Sequence, residues 1–170
     1  LARVPVEEAP PVTLVTVEDP LVEAVAKLLY AVGRHPFRQV VRRVEQLSAA
    51  ERRELLNMAF ANRGPHDPWL PELRTGYLNF DIVMDVGSLR DLHRHRRCQK
   101  VRQPLGTALG FDVPEVVEAC GARERYQSGL EAAFAAAREV NAACAPCGDY
   151  LLPLATRCRS PFSMDLAELA

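Results

Sequence analysis

Apolar residues recur every three or four positions through the first third of the chain, a spacing typical of helices that bury one face. An Asp-Pro pair opens the first predicted helix, which covers residues 19–33, and Gly33 ends it. A second helix is predicted over residues 36–47. Ser48 and Glu51 stand three residues apart, the spacing of a capping box, and open a third helix over residues 48–59.

Later segments mix strands with helices. Residues 77–84 alternate between apolar and polar positions with aromatic and β-branched content, which predicts a strand. Ser88 and Asp91 indicate that a helix runs from Ser88 to about Lys100, and residues 123–143 form a long Ala-rich helix. A weaker extended stretch ends near Met164. Helices and strands do not alternate regularly, so we predict an α+β fold, mostly helical with a small antiparallel or mixed sheet.

The length of 170 residues predicts one domain of ordinary size. We expect residues 1–18 to form an extended arm and residues 19–170 to form that single domain. Asp165 is a good N-cap and Glu168 lies at the capping-box position, so a helix begins just before the sequence stops. We therefore expect a fragment of a longer protein, truncated within its C-terminal helix.

Composition excludes several classes of protein. The formal net charge is −1, so no general field attracts polyanions. No window approaches 18 consecutive apolar residues, and no signal peptide is apparent, so we expect neither a membrane span nor secretion. The five cysteines show no disulfide-framework spacing, which predicts reduced thiols in the cytoplasm. Cys144 and Cys147 form a CxxC pair without partner ligands, so no metal site is predicted.

One short segment is strongly basic. Residues 90–102 carry six cationic side chains around His93 and His95: Arg90, Arg94, Arg96, Arg97, Lys100 and Arg102. In a continuous helix, Arg90, His93, Arg94 and Arg97 would share one face. Such a face favours an anion, and arginine suits a phosphate because its guanidinium donates two hydrogen bonds at once.

Other interpretations of this segment remain open. The arginines are also typical of a solvated helix face, or of one paired with acidic residues elsewhere in the chain. Nucleic-acid binding is disfavoured because aromatic residues make up 6% of the chain and none lies among these arginines. His93, His95 and Cys98 are candidate metal ligands by type, but helical spacing would point the two histidines to different faces.

The basic segment carries a resemblance to a known family. The residues Arg90-Asp91-Leu92-His93-Arg94-His95-Arg96 follow an apolar strand, and the chain here resembles the flavin-dependent thymidylate synthases, whose signature is R-H-R-x-x-S-x-N-E-x-S-x-R-Y. Residues 62–68 look like the Gly-His-x-Ser/Thr-Pro loop of that family. Residues 148–153 look like its Ala-Arg-x-x-Leu-Pro segment, and residues 163–165 look like its Thr-x-Asn.

The resemblance implies a function. Such enzymes are mostly tetramers that bind FAD between subunits. They convert dUMP to dTMP with carbon from methylene-tetrahydrofolate and hydride from NADPH. It implies that Arg94, His95 and Arg96 contact FAD, and that Arg90, Asp91 and Arg94 lie beside the substrate nucleotide. No catalytic residue is assigned, because the family uses electrostatic polarisation of the uracil ring rather than a protein nucleophile.

Departures from the signature are equally informative. Its first Ser is Gln99 here, its Asn-Glu is Val101-Arg102, its second Ser is Pro104, and its Arg-Tyr is Gly106-Thr107. The Arg before Leu-Pro is Asp149. Two hypotheses follow: a degenerate domain that is not catalytic alone and pairs with another copy, or a non-catalytic module that kept the fold for phosphate-ligand binding or oligomerisation.

Overall fold

The computed structural model describes residues 9–15 and 19–169, and within them the fold is α+β, as predicted. The helices are α1 (Pro20–Val32), α2 (Phe37–Glu45), α3 (Ala49–Phe60), α4 (Val86–Leu92), α5 (Glu115–Ala119), α6 (Arg123–Ala143) and α7 (Leu166–Leu169). The strands are β1 (Val12–Leu14), β2 (Leu78–Asp85), β3 (Gln99–Lys100) and β4 (Arg157–Met164). Single 3₁₀ segments span Pro71–Leu73 and Cys147–Leu151.

The four strands form one sheet in the order β1-β2-β4-β3. Backbone hydrogen bonds join Val83 N to Pro11 O and Val15 N to Asn79 O, so β1 and β2 run antiparallel. Val86 N donates to Thr156 O where β2 passes into α4, and on the other side of β4, Val101 N donates to Pro161 O. Each neighbouring pair is antiparallel, which is one of the two sheet types, antiparallel or mixed, that the sequence left open.

Helix starts follow the predicted caps. Asp19 Oδ1 accepts a hydrogen bond from Leu21 N at 3.0 Å at the start of α1. Ser48 and Glu51 form the complete capping box of α3, and Asp165 Oδ1 accepts from Glu168 N at 2.8 Å before α7. These side chains satisfy N–H groups that the first turn of a helix leaves without a backbone partner.

The described chain forms two compact units. The first comprises residues 9–13, 81–96 and 100–161, and the second comprises residues 14–15, 19–80, 97–99 and 162–169. In the first, Leu130, Phe134 and Ala137 bury one face of α6, and the Phe134 ring meets Phe111 edge to face at 5.5 Å. In the second, α1, α2 and α3 pack around the buried residues Val25, Ala26, Val40 and Val44.

The basic segment does not form the long helix that its sequence predicted. Helix α4 spans only Val86–Leu92, residues 93–98 turn, and Gln99–Lys100 join the sheet as β3. Asp85, not Ser88, is the N-cap. After Arg97 the backbone forms hydrogen bonds with β4 in place of the internal hydrogen bonds of a helix. Tertiary hydrogen bonding therefore overrides the local helix propensity of this segment. The shared face of Arg90, His93, Arg94 and Arg97 is therefore not formed as a helical stripe.

The cysteines also differ from expectation. Cys144 and Cys147 are joined by a disulfide, so the prediction of five reduced thiols is wrong for this pair. Within the described chain, Cys98, Cys120 and Cys158 are not disulfide-bonded. Of the predicted arm, residues 12–14 form β1, whereas residues 1–8 and 16–18 lie outside the described residues. None of the helices in the described chain is both long enough and apolar enough to cross a membrane.

Candidate functional site

Strand β2 leads directly into α4, and the basic segment begins within that helix. Asp85, the last residue of β2, accepts hydrogen bonds from Ser88 N at 2.8 Å and Ser88 Oγ at 2.6 Å. Partial burial raises the pKa of Asp85, but hydrogen bonds from Ser88 and from the backbone of Asp85 and Gly87 together outweigh it and hold the pKa below its ordinary value. The start of α4 is thus occupied by a carboxylate of the chain itself, so that helix end offers no vacant place for an anion.

The arginine-histidine-arginine triplet, residues 94–96, lies in the turn after α4 and is exposed. The Arg94 side chain is 84% exposed and lies 3.8 Å from the Asp91 carboxylate. Within the part of the chain that the structure describes, Arg96 has no carboxylate within 4.0 Å. Lys100 Nζ donates to His95 O at 2.5 Å and closes the turn. The turn therefore presents an open cationic surface.

The residues after this turn run beside β4 and help to form two cavities. Gln103 N donates to Arg159 O at 3.1 Å, and Ser160 Oγ donates to Val101 O at 3.0 Å. The chain then leaves the sheet, and residues 102–109 become the wall of both cavities, which share Pro104 and Leu105. We call residues 102–109 the cavity loop.

The larger cavity has a volume of about 490 Å³ and contains two arginines of β4. Its lining residues are Gln103, Pro104, Leu105, Gly106, Ala108, Leu109, Arg157 and Arg159. Arg157 Nε donates to Asp112 Oδ1 at 2.7 Å. Arg159 Nη1 lies 3.6 Å from Asp81 Oδ2, and Arg159 Nε is buried without a hydrogen-bond partner. One of the two guanidinium groups therefore has an unused donor.

The smaller cavity has a volume of about 340 Å³, and its lining includes two oppositely charged residues and an aromatic ring. It is lined by Arg102, Pro104, Leu105, Pro146, Asp149 and Tyr150. Asn141 holds this wall in place, because its Nδ2 donates to Asp149 Oδ1 at 3.0 Å and its Oδ1 accepts from Gly148 N at 2.7 Å. Tyr150 is 93% exposed, so its ring is available to a ligand at the rim.

None of the predicted site residues lines either of these cavities: Arg90, Asp91, Arg94, His95 and Arg96. Pro104 and Gly106, which occupy signature positions of the resemblance, line the larger cavity, and Asp149 lines the smaller one. Sequence analysis missed Arg157 and Arg159 as site residues. Their signal was the spacing of two residues in a predicted strand, which puts both side chains on one face of a sheet.

These cavities suit a phosphate ester that also carries a flat ring. Guanidinium groups bind phosphate by paired, charge-assisted hydrogen bonds. An exposed Tyr ring and the Arg102 guanidinium can each stack on a planar heterocycle. Neither Cys98 nor Cys158 is suited to act as a nucleophile, because both are buried and burial raises the pKa of the Cys158 thiol. Cys120 is exposed but lines neither cavity.

Comparison with solved structures finds a protein of the same fold. A UMP/dUMP methylase, PolB, from Streptomyces cacaoi, solved bound with 5-Br dUMP, superposes with a TM-score of 0.69 at 14% sequence identity. The match covers 93% of this chain and 73% of that chain. The predicted fold class is therefore confirmed. At this identity the likeness shows a shared fold and nothing about activity.

The sequence relatives are longer proteins that match this chain over about 90 residues. A UPF0159 protein of Chlamydia muridarum is 33% identical over 90 residues, which is 53% of this chain and 17% of the relative. A UPF0159 protein of Thermoplasma acidophilum is 33% identical over 91 residues, 52% of this chain and 18% of the relative. The matched part thus spans less than one fifth of those relatives' length. No family model matches the chain.

Proposed function

We propose that this chain is a nucleotide-binding domain related to the flavin-dependent thymidylate synthases and binds dUMP or a similar uridylate beside the cavity loop. Two facts support this together: the fold is shared with a UMP/dUMP methylase over 93% of the chain, and signature positions of the resemblance line adjoining cavities. A nucleoside monophosphate has one phosphate and one planar base, which matches one cavity with two arginines and one with an exposed ring.

Catalysis by this chain alone is not part of the proposal. Thymidylate formation requires the uracil ring to be polarised by fixed hydrogen-bond donors. At the positions where the family has Ser, Arg and Arg, this chain has Pro104, Gly106 and Asp149. Proline and glycine offer no side-chain donor, and an aspartate repels a phosphate. We therefore propose a degenerate domain that retains ligand binding and leaves the dUMP to dTMP reaction, with methylene-tetrahydrofolate and NADPH, to a fuller copy.

FAD fits this chain only in part. Arg94 and Arg96 supply the cationic donors that a diphosphate needs, and the Arg94 side chain is 84% exposed. The open turn encloses no ring, so a second chain would have to complete a flavin site. We propose that Arg94, His95 and Arg96 hold the diphosphate of FAD in such an assembly, with Arg90, Asp91 and Arg94 facing the substrate nucleotide of the neighbouring chain. When bound, FAD would supply hydride transfer.

Assembly is the remaining part of this proposal. We propose that residues 19–170 act as one domain and that it forms a homo-oligomer or pairs with another copy of the same fold. One observation supports pairing: within the described residues, the exposed cationic turn lacks a carboxylate partner at Arg96. Burying such a turn against a second chain and a bound anion would neutralise its charge.

A second candidate is a non-catalytic phosphate-binding or oligomerisation module that has lost flavin. The replacement of an arginine by Asp149 favours it, because that change removes a donor and adds negative charge at the smaller cavity. Both candidates predict binding of a phosphate ester. They differ in whether the triplet holds FAD.

Flavin uptake separates the two candidates. The purified chain is mixed with FAD, desalted, and scanned for the visible absorption of oxidised flavin, and dUMP binding is measured by calorimetry on the same preparation. We expect the wild type to take up flavin and the Arg94→Ala and Arg96→Ala substitutions to abolish that uptake. Each charged phosphate contact contributes about 1.5–3 kcal/mol to binding.

Arg138→Ala is the matched control, because Arg138 is also an exposed arginine but lies on α6. Uptake unchanged by the triplet substitutions would reject the residue assignment. Absence of flavin uptake with retained dUMP binding would reject a flavin site between copies of this chain and favour the non-catalytic module, and absence of both would reject the proposed function.

A further inference from the structure

We propose that Arg157 and Arg159 form the phosphate-binding pair of this chain, in place of donors that the cavity loop lacks. The ligand class is a phosphate monoester, and the pair binds its dianionic phosphate in the larger cavity. This inference rests on the proposed function for the identity of the nucleotide.

Strand geometry places both arginines on the same side of the sheet. Along β4, Cys158, Ser160 and Phe162 are buried, whereas the alternate positions Arg157 and Arg159 are not. Arg157 and Arg159 both line the cavity of about 490 Å³ together with the cavity loop. Because β4 is a central strand of the sheet, its backbone holds the Cα atoms of the two arginines at a fixed separation.

Hydrogen-bond accounting singles out Arg159. Its side chain is 20% exposed, and its Nε has no partner although it is buried. A buried unsatisfied donor costs free energy, and a ligand oxygen would remove that cost. Among the described residues its carboxylate neighbour is Asp81, which is 3.6 Å away and too far for a good hydrogen bond. Arg159 is therefore charged, partly desolvated and weakly engaged.

Arg157 is held more firmly. It donates from Nε to Asp112 at 2.7 Å and also from Nη2 at 2.5 Å, so the carboxylate fixes one edge of the guanidinium. The Nη1 group keeps donors for another acceptor. We infer that Asp112 orients Arg157, whereas Asp81 competes with the anion for Arg159.

The cavity loop leaves room for the anion but gives it no charged partner in the larger cavity. A Cβ atom at Gly106 would meet nothing within 4 Å, so the space beside that residue is open. The other loop residues of the lining are Gln103, Pro104, Leu105, Ala108 and Leu109, which carry no charge. Arg157 and Arg159 are then the charged donors within that lining.

Titration calorimetry with two probes tests the proposal. Intact chain is titrated with dUMP and, separately, with inorganic phosphate, in the wild type and in Arg157→Gln, Arg159→Gln and Asp81→Asn variants. Each arginine substitution should weaken both probes by about 10- to 100-fold, the loss expected for one charged hydrogen-bonding contact. Asp81→Asn should raise the affinity for both probes severalfold, because it removes the carboxylate that competes for Arg159. A purely structural role for Arg159 would not raise either affinity.

Arg138→Gln on α6 is the matched control and should leave both affinities unchanged. Thermal unfolding of each variant identifies any that fail to fold, and Asp81→Asn then still decides the outcome. Wild-type dUMP binding that is insensitive to all three substitutions overturns the arginine pair and leaves the proposed function standing. Arginine-dependent phosphate binding without dUMP binding supports the pair and rejects the nucleotide. Binding of neither probe rejects both.

Discussion

At the scale of single residues, Gly148 fixes the wall of the smaller cavity. A Cβ atom at this position would overlap the carbonyl oxygen of Ala137 and lie 2.8 Å from Asn141 Oδ1. The same Asn141 side chain accepts from Gly148 N and donates to Asp149. The absence of a side chain at Gly148 is therefore what lets Asn141 reach both residues and hold Asp149 at the cavity.

Gly148→Ala should destabilise the chain by about 1–3 kcal/mol, the usual cost of forcing an extra methyl group into a packed site. Gly129→Ala is the control. Gly129 lies inside α6, and its added Cβ would meet nothing within 4 Å, so this change should stabilise by about 0.5–1 kcal/mol. Urea unfolding of both variants measures the difference. Equal free energies of unfolding would contradict the close packing at Gly148.

The residues that line the two cavities were not predicted as site residues from the sequence. Pro104, Gly106 and Asp149 could be aligned with a known signature, but only as departures from it, and the structure brings them to two adjoining cavities. Arg157 and Arg159 could not be found in this way, because cavity lining depends on which loop covers a strand. The pairing of residues 101–103 with β4 decides this, and that pairing joins positions almost sixty residues apart along the chain.

At the scale of elements, α4 is a seven-residue helix that depends on its cap. Asp85 accepts two hydrogen bonds from Ser88, and its pKa lies below the ordinary value of 3.8. Because the folded chain lowers this pKa, the contribution of Asp85 to stability is fully present above pH 3.8. It is lost as the pH falls through the lower folded value.

Asp85→Ala should therefore lower the free energy of unfolding at neutral pH by about 0.5–2 kcal/mol, the typical contribution of an N-cap. Asp85→Asn keeps an acceptor and should cost less at neutral pH, while removing this residue's part of the acid sensitivity. Urea unfolding at neutral pH and near pH 3 checks both statements. An Asn variant with the same loss of stability in acid as the wild type would show that Asp85 does not titrate as described.

Elements with clear local signals were predicted well, and the basic segment was not. The capping box at Ser48 and Glu51 and the bounds of α6 were both confirmed. Arginine is a good helix former, so the sequence of residues 88–100 favours a helix throughout. The structure instead ends α4 at Leu92, because the chain must turn to place Gln99–Lys100 beside β4. Strand partners distant in sequence leave little trace in local propensity.

At the scale of the whole molecule, the fold alone does not determine the function. The sequence predicted an α+β chain, and the shared fold with a UMP/dUMP methylase at 14% identity agrees. One fold supports many activities, so the conclusion about nucleotide binding depends on the cavities and not on the architecture. The relatives of this chain are more than five times longer than the matched part, so its activity has to be tested in the chain itself.

The most direct test of this account is the position of a bromine atom. Crystals of the chain are soaked with 5-bromo-dUMP, and the anomalous difference map locates the base without reference to any assumed pose. The account predicts a peak in the cavity lined by Arg102, Asp149 and Tyr150, with phosphate density beside Arg157 and Arg159. A bromine peak outside these cavities, or crystals that take up no bromine at all, would contradict it.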